Sequence, residues 1–365
     1  MPRGRRTVLV ALALTLAGCA GVRDRIASRP AGAFDAAEIV DVLARGTIPA
    51  IDLPVFEDPA SAAERLQPPD PVAVLEVAGE ARAYPLAILV WHEIVNDVVA
   101  GEPIAVTYAP LTGSAVAFRR TAGDGRVRSF GASGKLYRSN LVMFDRGTRS
   151  LWPQLRGNAV LGPESGRSLE PIPLRIVSFG DFRATYPAGK VLTARTGAAR
   201  VYGTTPYAGY ESRRAPSRAF FAPPPDPRVG AMERVLGVRV GGEARAYPYA
   251  RLREAGLARD RIAGQDVVVL WRAGTRSPLD TSLIANGRDV GSAGAFVPLI
   301  DGMRLDFAAT PGGFRDEQTG SSWSVLGVAL AGPLAGKRLA SLDQADAFWF
   351  AWAAFTPTTS VYGLS

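Results

Sequence analysis

The pattern of apolar and polar positions predicts a mainly β chain with a few short helices. Residues 72–77 and 81–84 alternate around a turn at Gly79, which is typical of a β-hairpin. Residues 86–96 follow Pro85 with apolar side chains at helical spacing, so they predict a short helix. The same reasoning predicts strands at 104–108, 115–120, 127–131 and 140–145, an extended run at 47–56, and helices at 34–45 and 178–186. The predicted fold class is therefore α+β, mainly β.

Two parts of the chain carry the same pattern. The run Gly-Glu-Ala-Arg-Ala-Tyr-Pro at 79–85 recurs at 242–248, and Asp-x-x-Thr-x-Ser-x-Trp at 145–152 recurs at 316–323. The glycine- and proline-containing frames that follow lie at 157–169 and 327–339. Matches in the same order predict two tandem homologous modules of mixed strands with short helices. We expect features kept by both copies to be architecture, and features of one copy to be better candidates for function.

The repeated motif that ends in Trp152 and Trp323 suits a hairpin turn. Its Asp and Thr side chains can bond nearby backbone N–H groups, and its Ser shields the edge before the tryptophan. Because both copies carry the motif, we predict a structural role for it and two buried tryptophans.

The predicted organisation of the chain has five parts. They are a lipoprotein signal peptide at 1–18, a tether with a helix and an extended segment at 19–69, module one at 70–192, a Gly/Pro/Tyr-rich connector at 193–231 and module two at 232–365. The connector contains Tyr202, Tyr207 and Tyr210. This aromatic content is unusual for a plain linker, so we predict that the connector lines a groove between the modules.

The first residues predict export and lipidation. A basic start is followed by the apolar run 8–17, which is too short to span a bilayer. The run ends in Leu-Ala-Gly-Cys, which resembles a lipobox, so we expect cleavage before Cys19 and acylation of that residue. Ala20 stands where an inner-membrane retention signal has Asp, which favours the periplasmic face of the outer membrane. A plain secretion signal with an incidental cysteine is the alternative.

Composition excludes several kinds of site. Cys19 is the only cysteine and His92 the only histidine among 365 residues, so no Cys/His metal cluster and no intrachain disulfide can form. We therefore predict no cofactor and no transition-metal site. The formal net charge is +8, but no dense basic run with interleaved aromatics is present. This pattern argues against nucleic acid as a partner.

The segment after the repeated Tyr-Pro differs between the copies. Module one has Trp91-His92-Glu93-Ile94-Val95-Asn96-Asp97, whereas the corresponding segment of module two has neither His nor Trp. On the predicted helix His92 and Asn96 share one face, and Glu93 and Asp97 share the next. Such a strip could hold a proton carrier beside a carboxylate. The alternative is a histidine satisfied within the core by a neighbouring loop.

Several motifs together resemble the bacterial domain of unknown function 3179 family. They are residues 91–97, Thr107-Tyr108-x-Pro110-Leu111-x-Gly113, Ser133-Gly134-x-Leu136-Tyr137-x-Ser139-Asn140-Leu141 and the aromatic run 348–352. The resemblance implies an exported or envelope protein without an established activity. Family members usually carry Cys-Pro-Leu-Cys where this chain has Ala109-Pro110-Leu111-Thr112. The metal or dithiol chemistry that such a pair invites cannot be carried over to this chain.

The favoured functional hypothesis is a non-catalytic envelope lipoprotein. It would bind a small molecule or an envelope protein in a pocket of module one. The candidate ligand-binding residues are Trp91, His92, Asn96, Tyr108, Thr112, Ser114 and Asp145. Its membrane contact would be the N-terminal lipid.

Two alternatives remain open from the sequence. The first is a hydrolase or transferase with Ser114 as nucleophile, His92 as base and Asp97 or Asp145 as orienting acid. The sequence around Ser114 is not a nucleophile elbow, which counts against this reading. The second is a divalent-cation site built from the oxygens of Glu93, Asp97 and Asp145.

Overall fold

The computed structural model describes residues 34–364. Within this range the chain forms several β-sheets and five short α-helices, so the α+β, mainly β class is confirmed. The described residues belong to one compact unit. No helix among them is long and apolar enough to cross a membrane. The predicted signal peptide and Cys19 lie outside the described residues.

The first half contains the following elements in chain order. They are a 3-10 helix Ala36–Glu38, β1 Ile39–Asp41, β2 Phe56–Glu57, α1 Pro59–Ala62, β3 Pro71–Val77, β4 Glu80–Pro85, α2 Leu86–His92, β5 Ile94–Val99, β6 Glu102–Ala109, a 3-10 helix Pro110–Thr112, β7 Ser114–Arg119, β8 Phe130–Tyr137, β9 Asn140–Asp145, β10 Leu151–Pro153, β11 Pro171–Ile172, β12 Arg175–Ser178, α3 Phe179–Thr185 and β13 Lys190–Leu192.

The second half follows after the connector. Its elements are β14 Arg234–Val240, β15 Glu243–Pro248, α4 Tyr249–Ala255, β16 Leu257–Ile262, β17 Gln265–Arg272, a 3-10 helix Ile284–Asn286, β18 Ser292–Val297, β19 Leu299–Ile300, β20 Met303–Arg304, β21 Phe307–Thr310, β22 Gly313–Asp316, β23 Ser322–Trp323, β24 Ala329–Ala331, β25 Ala340–Ser341, β26 Asp343–Phe348, α5 Trp349–Phe355 and β27 Ser360–Val361.

The two halves use the same strand order. In the first half the hairpin β3–β4 lies between β12 and β13, and in the second the hairpin β14–β15 lies between β26 and β27. β4 pairs in parallel with β13, and β15 pairs in parallel with β27. In each half this partner strand follows the last helix. The next three strands also correspond, β5-β6-β7 in one half and β16-β17-β18 in the other. This order agrees with tandem modules, whose homology stays a prediction.

A strand of the second half completes a sheet of the first. β26 pairs with β7 at Asp346 and Ala115, so one sheet runs in the order β27-β15-β14-β26-β7-β6-β5. β12 of the first half lies against β18 of the second. Trp349 and Trp352 of α5 pack in the same apolar cluster as Tyr108 of β6. The two halves therefore share a sheet and a core.

The predicted N-terminal helix at 34–45 is wrong. Asp35 does accept a capping hydrogen bond from the Ala37 N–H at 3.0 Å, but the helix is a single 3-10 turn that ends at Glu38. β1 follows and pairs with β8, and the Gly134 carbonyl accepts hydrogen bonds from the next two backbone N–H groups. The sheet edge satisfies backbone groups that a short isolated helix would leave to water.

The predicted helix at 86–96 is right only over its first two turns. α2 ends at His92, Glu93 takes a left-handed conformation with φ of 59°, and β5 begins at Ile94. The β-branched residues after Glu93 favour the strand, which pairs with β6 over its whole length. The predicted shared face of His92 and Asn96 is therefore wrong, because the two side chains lie on different elements.

The repeated Asp-to-Trp motif forms the same hairpin turn in both halves. Asp145 accepts a hydrogen bond from the Thr148 N–H at 2.6 Å and from the indole of Trp152 at 3.2 Å. Asp316 accepts from the Thr319 N–H at 2.6 Å and from the indole of Trp323 at 2.8 Å. Both tryptophans are buried, as predicted. Asp145 therefore holds a turn in place.

Candidate functional site

Asp97 is a structural residue. Its carboxylate accepts hydrogen bonds from Arg82 at 2.5 Å and from the Tyr84 hydroxyl at 2.6 Å. The second half repeats this arrangement with Arg245, Tyr247 and Asp260. The carboxylate thus ties a hairpin to the strand after the helix in both halves. It is not available to orient a catalytic base.

His92 is a buried histidine with both ring nitrogens engaged. Nδ1 lies 2.6 Å from the carbonyl oxygen of Pro49, and Nε2 lies 2.7 Å from the hydroxyl of Tyr202. A carbonyl can only accept, so Nδ1 carries the proton and Nε2 accepts from the phenol. The Tyr202 oxygen lies 2.5 Å from the hydroxyl of Thr196. Burial lowers the pKa of His92 and keeps the ring neutral.

Ser114 belongs to a buried network of neutral polar side chains. Its hydroxyl donates to the side-chain oxygen of Gln154 at 2.8 Å and lies 2.8 Å from the hydroxyl of Thr112. Asn140 donates to Thr112 at 3.0 Å and to Gln154 at 2.8 Å, and Gln154 donates to Thr107 at 3.1 Å. All five side chains are fully buried. The network joins β6, β7, β9 and β10 in the interior of the first half.

The structure does not bring the residues of the catalytic alternative into hydrogen-bond contact with one another. Among the described residues no hydrogen bond joins Ser114 to His92, and each has other partners. Neither Asp97 nor Asp145 contacts the histidine ring, since both are bound to the groups described above. A nucleophile needs its base within hydrogen-bond reach.

The three carboxylates of the predicted oxygen-ligand cation site are likewise not brought together. Glu93, Asp97 and Asp145 do not converge, and residues 34–364 contain no group of three His, Cys, Asp or Glu side chains placed to hold a metal ion. Two of the three carboxylates are occupied by Arg, Tyr, Thr and Trp donors.

Trp91 and Asn96 anchor neighbouring segments. The Trp91 indole donates to the Thr204 carbonyl at 3.0 Å, and the guanidinium of Arg200 lies 5.8 Å from its ring centre. Asn96 donates to Asp52 and to the Phe130 carbonyl, both at 2.8 Å. The first contact fixes the connector against α2, and the second fixes the extended run 47–56 against the sheet.

Glu93 is the unusual residue of this region. Its backbone is left-handed, and the corresponding turn of the second half has Gly256 with φ of 73°. A non-glycine residue in this conformation costs about 1 kcal/mol or more. Only 7% of Glu93 is exposed, and its carboxyl group makes no hydrogen bond with any described residue. Burial raises the pKa of Glu93 to about 8.

Two tyrosines interact with the Glu93 turn, Tyr108 through its backbone and Tyr207 through charge. The backbone N–H of Tyr108 donates to the Glu93 carbonyl at 2.8 Å, and the buried hydroxyl of Tyr108 has no partner among the described residues. Burial raises the pKa of Tyr207 of the connector, and the charges of Glu93 and Tyr108 raise it further. This region therefore contains a carboxyl and a hydroxyl group that both lack hydrogen bonds with the described residues.

A family model described as "Protein of unknown function (DUF3179)" matches residues 45–359. The chain belongs to this family. No curated protein and no solved structure matches it. The family description assigns no activity, so the chemistry of this DUF3179 member has to be taken from its own side chains.

In this DUF3179 protein the sequence had already drawn attention to some residues of this region. Tyr108 was a predicted ligand residue, and Tyr207 stood out in the aromatic connector. Glu93 was predicted as a carboxylate beside His92 and, alternatively, as a ligand of a divalent cation. Comparison of the two copies carries the missing signal, because a glycine occupies the corresponding left-handed position of the second half. Only the structure shows that the carboxyl group is buried without a partner.

Proposed function

We propose that this protein is a non-catalytic binding lipoprotein of the bacterial envelope whose ligand site is centred on Glu93, Tyr108 and Tyr207. The proposal rests on the backbone conformation of Glu93 and on the surroundings of its carboxyl group. Its left-handed backbone costs free energy, and its carboxyl group, in a residue only 7% exposed, makes no hydrogen bond with any described residue. Costs of this kind collect at sites where a ligand supplies the missing partners.

The chemistry of the three groups defines the class of ligand. With a pKa of about 8, Glu93 is mostly protonated at neutral pH and can donate a hydrogen bond. The two phenols can donate or accept. A small uncharged polar molecule with amide or hydroxyl groups would satisfy all three without placing a charge in the apolar surroundings.

The connector supports the same assignment. Tyr210 donates from its hydroxyl to the Leu111 carbonyl at 2.9 Å, and Tyr202 binds His92. These contacts hold the segment that carries Tyr207 over the Glu93 turn. His92 then acts as an anchor of the connector and not as a base. Envelope anchoring rests on the lipobox-like sequence before Cys19.

A thermal-shift screen tests the proposed site. The panel contains small amides, ureas and polyols, with a carboxylate and an amine as charged comparisons. We expect an uncharged member to raise the melting temperature of the wild type. The effect should persist in Glu93→Gln, which keeps a neutral donor, and disappear in Glu93→Ala and Tyr108→Phe.

Tyr84→Phe is the matched control for the tyrosine variant. Its hydroxyl is equally buried but donates to Asp97, so its loss should cost about 1 to 3 kcal/mol of stability without affecting ligand binding. Tyr108→Phe should change stability by less than about 1 kcal/mol, because its hydroxyl has no partner to lose. A ligand that stabilises wild type and Tyr108→Phe equally would contradict the proposed site.

A further inference from the structure

A second concave site lies where the two halves meet. It is a cavity of about 270 Å³, the volume of roughly nine water molecules. Both halves contribute polar side chains to its lining. These include Glu76, Arg175, Tyr186, Arg338 and Ser341. None of them belongs to the Glu93 site.

Arg175 is a buried cation without a counter-ion. Only 4% of it is exposed, and no carboxylate of the described residues lies within 4.0 Å of its guanidinium. One nitrogen, Nη1, donates to the hydroxyl of Ser341 at 2.9 Å, while the buried Nε has no partner in residues 34–364. The ring of Phe296 lies 5.1 Å from the guanidinium carbon. Proteins almost always pair a buried charge, so this one is prepared for an anion.

The only acid among the lining residues is already neutralised. Glu76 accepts a hydrogen bond from the Tyr186 hydroxyl at 2.8 Å and from Arg338 at 3.1 Å. Arg338 is half exposed and stands at the solvent side of the cavity. Two guanidinium groups and one carboxylate leave the lining with a net positive charge. Burial lowers the pKa of Arg175, and the charges of Glu76 and Asp346 offset this effect only in part.

We propose that this cavity binds a small organic carboxylate through Arg175. The Nε–H of Arg175 has no partner in residues 34–364, and a planar guanidinium can donate two parallel hydrogen bonds to the two oxygens of a carboxylate. The hydrogen bond from Nη1 to the Ser341 hydroxyl holds the guanidinium in its orientation. The cavity limits the ligand to a molecule with few carbon atoms. Because residues of both halves line the cavity, the ligand would bridge them. This site is independent of the one at Glu93.

Melting temperatures in acetate and in succinate test the assignment. Sodium chloride of equal ionic strength is the reference, and phosphate is a third anion that separates carboxylate recognition from general oxyanion binding. We expect a carboxylate to raise the melting temperature of the wild type by about 2 °C at roughly ten times its dissociation constant. Arg175→Met should lose this shift while remaining folded, since no salt bridge is broken.

Arg239→Met is the matched control. Arg239 also lies over a buried aromatic ring, 4.4 Å from the ring centre of Trp352, but it does not line the cavity. This variant should keep the carboxylate shift. Arg175→Lys keeps the charge without the planar fork and should bind at least about tenfold more weakly. Absence of a shift in the wild type, an equal shift in Arg175→Met, or a shift with phosphate alone would each overturn the proposal.

Discussion

Replacing Glu93 with Gln tests whether the buried carboxyl group is protonated in the folded protein. Gln has nearly the same shape and no charge, so it copies the protonated side chain and removes its titration. Burial raises the pKa of Glu93 from 4.5 to about 8. The unfolded chain therefore loses this proton above about pH 4.5, whereas the folded protein keeps it until about pH 8.

The magnitude follows from the number of protons bound. Between these two pKa values the folded wild type holds more protons than the unfolded chain, so its free energy of unfolding falls as the pH rises. The contribution of Glu93 is fully present below about pH 4.5 and is lost by about pH 8. One pKa unit corresponds to about 1.4 kcal/mol. The stability of Glu93→Gln relative to wild type should therefore rise by about 3 kcal/mol between pH 5 and pH 8.

Urea unfolding followed by tryptophan fluorescence measures this difference. Both proteins are prepared without the signal peptide and Cys19, and the free energy of unfolding is compared at several pH values from 5 to 8. His92 is present in both proteins, so any effect of its ionisation cancels. Glu254→Gln, at an exposed position of α4, controls for the loss of one carboxylate. Parallel pH profiles for wild type and Glu93→Gln would refute the reasoning, because they would mean that Glu93 is ionised in the fold.

Three further outcomes are expected. Asp145→Asn and Asp316→Asn should each lower the free energy of unfolding in urea by about 1 to 3 kcal/mol, because each carboxylate caps a turn and binds a buried indole. A large loss in one variant and none in the other would contradict a shared structural role. Mass spectrometry of the membrane fraction should find an acylated Cys19 peptide, and a Cys19→Ser protein that stayed membrane-bound and fully processed would exclude lipidation. Elemental analysis of the protein without its lipid should find no stoichiometric copper, zinc or iron, since one imidazole cannot hold such a metal tightly; one equivalent lost in His92→Ala would contradict this.

Most of the strands predicted in the first half follow from local pattern, although the strand predicted at 127–131 is found as β8, Phe130–Tyr137. The hairpin around Gly79 and the helix that begins after Ser178 are where alternation and capping chemistry predict them. The segment after His92 differs because its apolar spacing fits a helix and a strand equally well. Pairing with β6 decides between them, and a long-range contact of this kind leaves no local signal.

Comparison of the two copies could have separated structural residues from functional candidates more completely. Asp97 has Asp260 at the corresponding position of the second copy, and both make the same contacts with an Arg and a Tyr. That correspondence marks Asp97 as architecture from the sequence alone. Glu93 corresponds to Gly256, which marks a left-handed turn. The roles of Ser114 and His92 could not be predicted, because their partners come from segments distant in the chain.

The position of a bound molecule tests the central claim most directly. Crystals soaked with small uncharged amides and polyols at neutral pH would locate it. We predict density for such a fragment between the carboxyl group of Glu93 and the hydroxyl of Tyr108, within hydrogen-bond distance of both. Soaks that leave these two groups without a ligand, while fragments bind repeatedly elsewhere on the first half, would contradict the account.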